Sequence, residues 1–213
     1  MELMKALEIQ RRSEVRGFTL VELLLVVAGA GLLLALAGMS LMRGGGGLRL
    51  QGTAEAVRGL FEAAKQEAVA QGRGREVRLY EWEEGGEDRV GFFLYEEEEG
   101  GEALFLGRQV VPEAPIRLER ELTSLFELEG VEVLFGDPPG RGEVAERGRY
   151  VRLGMHPSGV TSLAEQESEV GKKREAFFSL TASRRRDNGE APKDFVIFVI
   201  EAGSGVVTMH RAQ

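Results

Sequence analysis

The chain has no cysteine among its 213 residues. That excludes a disulfide framework, cysteine-based metal sites and thiol chemistry. It does not exclude an extracytoplasmic location, because a domain of this length can bury a core without covalent staples. Histidine is almost as scarce. His156 and His210 stand alone in sequence, lack a ligand partner at metal-site spacing, and are expected to be structural or exposed. Ser158 and Ser204 lie in turn-forming stretches, outside any G-x-S-x-G context that would activate a nucleophile. No enzymatic activity, cofactor or metal is expected. Basic charge is also in the minority. Lysine supplies 5 of the 27 basic residues, and the net charge is -8. A surface of that sign disfavours non-specific nucleic-acid binding and leaves room only for a local basic patch.

What is present falls into zones. Residues 1–17 form a charged leader, with Lys5, Arg11, Arg12 and Arg16 set against Glu2, Glu8 and Glu14. Residues 18–42 are strongly apolar, and no charge occurs in the 20 residues from Leu23 to Met42. As a helix such a run reaches about 30 Å, the hydrocarbon thickness of a bilayer. A secretory signal has a shorter apolar core of about 7–15 residues. The reading is a transmembrane helix with Gly31 and Ala35 at small-xxx-small spacing. The basic bias of the leader puts the N-terminus in the cytoplasm and the C-terminal domain outside, a single-pass protein of the inner (cytoplasmic) membrane in contact with membrane lipid.

Residues 43–47, Arg43 followed by four glycines, are a hinge. Each glycine costs a helix about 1 kcal/mol relative to alanine. The stretch is either a flexible linker or a helix that can melt and re-form. Residues 48–71 then read as an amphipathic helix whose buried stripe is Leu50, Ala54, Val57, Phe61, Ala64 and Ala68, widened by Leu60 and stopped at Gly72. From residue 76 to 213 the period becomes two. Strands are expected at 76–82, 90–95, 103–111, 116–120, 131–135, 150–155, 176–182, 194–200 and 206–210, between turns rich in Gly, Pro, Asp and Asn. The expected fold class is α+β: a long N-terminal helix, its first half membrane-embedded, packed on an antiparallel β-sheet globular domain.

The stretch Arg16-Gly17-Phe18-Thr19-Leu20-Val21-Glu22, followed by the long apolar run, resembles the type IV pilin superfamily. The helix text Ala63–Gly72 leading into Val77-Arg78-Leu79 is similar to the H-type pseudopilin group (GspH/FimT-like). So are the strand–turn Leu153–Val160 and the closing hairpin Phe195–His210. The resemblance implies a minor pilin or pseudopilin, made as a prepilin. A prepilin peptidase would cut between Gly17 and Phe18, and the new N-terminal Phe18 would be N-methylated. Its partners would be other pilins or pseudopilins and an inner-membrane platform protein, and its filament would serve DNA uptake, motility or adhesion. The alternatives are a minor pseudopilin of type II secretion and a membrane-anchored surface-binding protein with no filament role.

Glu22 is costly inside an apolar run, at least about 2.5 kcal/mol for an uncompensated carboxylate in hydrocarbon, and so reads as functional. In a staggered filament it faces the Phe18 ammonium of a neighbouring subunit and sets the axial register. Arg184, Arg185 and Arg186 are a candidate DNA contact through phosphate, with Arg73 and Arg75 a second, smaller basic spot; the plainer reading of the arginine loop is solvated charge. Glu96–Glu99 also read as solvated charge, because consecutive side chains on a strand alternate in direction and do not converge on a calcium ion.

Overall fold

A computed structural model of the chain describes residues 19–97, 103–140, 148–164, 175–182, 192 and 194–211; on its one long helix, the side chains of residues 35–45 fall outside that description. The chain divides into two compact units, Met1–Gly44 and Gly45–Gln213. Helix α1 is assigned from Leu20 to Gln71, and its backbone is helical through the four hinge glycines. It stops where Gly72 takes φ 66, the left-handed conformation that glycine adopts without a Cβ clash.

Nine strands follow among the described residues: β1 Arg75–Glu84, β2 Glu87–Glu97, β3 Ala103–Val110, β4 Arg117–Leu118, β5 Val133–Gly136, β6 Gly148–Met155, β7 Ala176–Thr181, β8 Phe195–Ile200 and β9 Val207–Arg211. They form two sheets, ordered β3-β2-β1-β6-β5 and β4-β7-β8-β9. Every pairing is antiparallel.

Two expectations are corrected here. A long, half membrane-embedded helix on a β-sheet domain gives way to a predominantly β architecture with two antiparallel sheets. The physical reason is burial on more than one side. On β7 five of six residues are buried, and β2 buries six residues in succession, so these strands need cover on both faces. The transmembrane helix and the single-pass inner-membrane location are also not supported, because no helix among the described residues is long and apolar enough to cross a membrane. Residues 46–71 carry Arg49, Glu55, Arg58, Glu62, Lys65 and Glu67.

In the second unit the anticipated stripe of α1 is the buried one: Leu50, Ala54, Val57, Leu60, Phe61, Ala64 and Ala68. It shares one core with Val77, Leu79, Phe92, Leu94, Val151 and Leu153 of the five-stranded sheet and with Phe178, Leu180, Val196 and Phe198 of the four-stranded sheet. Phe178 stands where the three layers meet. Its ring centroid is 6.1 Å from that of Phe61, 5.3 Å from Phe92 and 4.6 Å from Phe198. Truncating it removes contacts to all three layers at once. Phe178→Ala should therefore cost about 3–5 kcal/mol in denaturant unfolding followed by far-UV circular dichroism. A loss under about 1 kcal/mol would show that the layers do not depend on this ring.

Candidate functional site

The first unit offers one polar feature at the start of α1. Thr19 is its N-cap. The Glu22 backbone N–H donates to Thr19 Oγ1 at 3.2 Å, and the Leu23 N–H donates to the Thr19 carbonyl at 3.1 Å. In return, Thr19 N–H and Thr19 Oγ1 each lie 3.4 Å from Glu22 Oε2. This is the reciprocal capping box of a T-x-x-E sequence, which satisfies amide groups that the first helical turn leaves open. The carboxylate also sits at the positive end of the helix dipole. Its contacts are long and it is exposed, so it retains capacity for a further partner. Gly17 and Phe18, the expected processing site, lie outside the described residues. The large apolar side chains of Leu20 to Leu34 are each between 60% and 76% exposed.

In the second unit, charge concentrates where α1 hands over to β1. Arg75 is 2% exposed, and its guanidinium meets Glu96 at 2.9 Å and Glu67 at 3.6 Å. It also donates to Gln71 of α1. Arg73 pairs with Glu96 at 2.6 Å, and Arg108 of β3 pairs with Glu67. The network ties the end of the helix to β1, β2 and β3. It corrects two readings. Arg73 and Arg75 are not a spot awaiting phosphate, because their charges are matched by carboxylates. Glu96 is not solvated charge, because it accepts from both arginines. Glu98 and Glu99 lie outside the described residues, as do Arg184, Arg185 and Arg186.

Two further clusters escaped the sequence reading. Glu81, buried on β1, accepts from Arg120 Nε at 2.7 Å and Arg149 Nε at 2.6 Å. The Arg149 guanidinium also lies 4.5 Å from the Phe126 ring centre, a cation–π distance. On the other face of the five-stranded sheet Tyr80, Trp82, Phe93 and Tyr95 form a second apolar cluster. Arg78 stacks there, 3.9 Å from the Tyr95 ring centre and 5.3 Å from Tyr150. Burial, with Tyr80 beside it, pushes the Tyr95 hydroxyl well above the ordinary tyrosine range. Gly91 makes this packing possible: a Cβ there would lie 2.6 Å from Phe93 and 3.0 Å from Trp82. The signal in the sequence was the alternation of Arg78, Tyr80 and Trp82, which puts all three on one face of β1.

These clusters pair charges and stack rings. None aligns a nucleophile with a base. His210 is exposed on β9, while the His156 N–H closes a turn onto the Val160 carbonyl at 2.8 Å. Ser204 donates to Glu201 and accepts from the Val206 N–H at 3.2 Å, a turn-stabilising role. Among the described residues no group of three His, Cys, Asp or Glu side chains could hold a metal ion. No protein-family model, no curated protein and no solved structure matches the chain.

The carboxylate network makes a pH prediction. The Arg73 hydrogen bond, opposed by partial desolvation and aided by Arg75, holds the Glu96 carboxyl below its ordinary value of 4.5. A depressed carboxyl adds stability above its unfolded pKa and loses it as pH falls through the folded one. Unfolding midpoints should therefore fall on acidification below about pH 4.5, and less steeply for Glu96→Gln. Identical slopes for the two proteins in that window would remove Glu96 from the acid response.

Proposed function

We propose that the chain is a minor subunit of a type IV pilin-like filament, processed between Gly17 and Phe18, with Phe18 becoming the methylated N-terminus. The observation that supports this reading is the join of two features. A Gly-Phe-Thr-Leu-Val-Glu junction stands at the head of a helix, and that helix carries large apolar side chains exposed along Leu20–Leu34. Exposed apolar surface of this extent requires a partner. Parallel copies of the same helix supply one in a filament. Such a subunit performs no chemistry; it helps to start or cap assembly.

Glu22 has two tasks in this reading. In the single chain it closes the capping box with Thr19. In the filament it meets the Phe18 ammonium of a neighbour, and an apolar surround makes that pair costly to break, about 3–5 kcal/mol. A slipped helix strands both charges, so the pair fixes the register.

The two tasks separate by substitution. Glutamine at this position keeps a capping box and removes the charge, whereas alanine removes both. Glu22→Gln and Glu22→Ala should both impair incorporation into filaments sheared from cells. Normal incorporation of Glu22→Gln would reduce the residue to a cap. In the wild-type chain, mass spectrometry of the N-terminal peptide should show methylated Phe18; an intact Met1 would sink the filament reading.

A further inference from the structure

The charged clusters described above are matched internally, but the guanidinium of Arg117 is not. Arg117 and Leu118 of β4 pair opposite Thr181 and Leu180 of β7. Leu118 turns into the core, so strand alternation sends Arg117 to the opposite face. The Arg117 side chain is 16% exposed, and the Glu119 carboxylate stays 3.7 Å away, beyond hydrogen-bond reach. Arg117 Nε and Nη2 are buried and have no hydrogen-bond partner. A buried donor left unpaired costs free energy, and a charged one costs more. Arg75, buried more deeply, is met by Glu67, Gln71 and Glu96. Nothing comparable meets Arg117 among the described residues.

Arg117 lines a cavity of about 580 Å³, shared with Glu87 and Asp88 at the start of β2 and with Ala114 and Pro115. Pockets for small molecules measure roughly 300–1,000 Å³. Both carboxylates are exposed. Glu87 pairs opposite Glu84 and Asp88 opposite Glu83, so negative charge gathers at this end of the hairpin. Arginines offset it only in part, Arg89 at 3.4 Å from Glu84 and Arg120 at 3.7 Å from Asp88. Such a rim repels phosphate and other simple anions and attracts an ammonium group.

We propose that this cavity binds a small zwitterion, a short peptide with both ends free. The peptide carboxylate meets Arg117, whose planar fork suits a carboxylate. Its ammonium meets Glu87 and Asp88, and Ala114 and Pro115 supply an apolar wall for the atoms between. Arg117 alone would select an anion and the two carboxylates alone a cation; together they select a molecule that carries both signs. The cavity involves neither Glu22 nor the Gly17–Phe18 junction. It stands apart from the filament reading, and the failure of either leaves the other in place.

Isothermal titration calorimetry of the full-length chain with trialanine tests this. Trialanine should bind saturably, with millimolar or tighter affinity. N-acetyl-trialanine lacks the ammonium and trialanine amide lacks the carboxylate, and each should bind at least about tenfold more weakly. Inorganic phosphate should neither bind nor compete. Arg117→Met should weaken trialanine by at least about tenfold while keeping or raising the thermal unfolding midpoint, because it removes a buried unpaired charge. Glu87→Gln is an exposed change that the fold tolerates. It should weaken trialanine and leave N-acetyl-trialanine unaffected, and it carries the test if Arg117→Met does not fold. Absence of trialanine binding overturns the proposal. So does equal binding of the acetylated or amidated peptide, or undiminished trialanine binding by Glu87→Gln. Competition by phosphate would make the cavity a plain anion site and overturn it as well.

Discussion

The stripe Leu50–Ala68 on one face of α1 is the constraint on which the second unit depends. Both sheets share one core with it. Each large side chain buried along it is worth about 1.5–3 kcal/mol. Small residues at Ala54, Ala64 and Ala68 let the strands approach, while Phe61 reaches the rings that join the sheets. Arg58, Glu62 and Lys65 lie off the stripe, so sequence period sets which face of the helix turns to the core.

The charged residues follow the same logic at the edges of that core. Arg75 would be expensive to bury by itself. It is buried because Glu67 and Gln71 of α1 and Glu96 of β2 reach it. Glu81 is the converse case, one buried carboxylate held between two arginines. These pairs fix where the helix ends and how the first strands register; their geometry offers no free reactive group.

Much of the secondary structure was legible because its signals are local. Each expected strand has an observed counterpart, and one shortening has a local cause: the run 116–120 reduces to Arg117–Leu118 because the chain winds into a 3-10 turn at Arg120–Leu122. The division into two sheets was not legible. It depends on which distant strands pair, such as β1 with β6, and periodicity does not encode partners. Arg73, Arg75 and Glu96 were misread for the same reason, since their partners lie far along the chain. The Thr19–Glu22 box is written in the sequence as T-x-x-E, and the carboxylate that looks costly in an apolar run also bonds the backbone of Thr19. The span expected from 18–42 is not supported, because no helix among the described residues is long and apolar enough to cross a membrane.

The two ends of α1 thus differ in kind: one is core within a single chain, the other is apolar surface without cover among the described residues. Amide hydrogen exchange along α1 tests that difference most directly, measured on dispersed chain and on assembled material. Amides at 50–68 should exchange slowly in both states, near the rate of global opening. Those at 20–34 should exchange much faster in the dispersed chain and become protected on assembly. Equal and strong protection of residues 20–34 in both states would contradict the assignment of that face to a neighbouring copy.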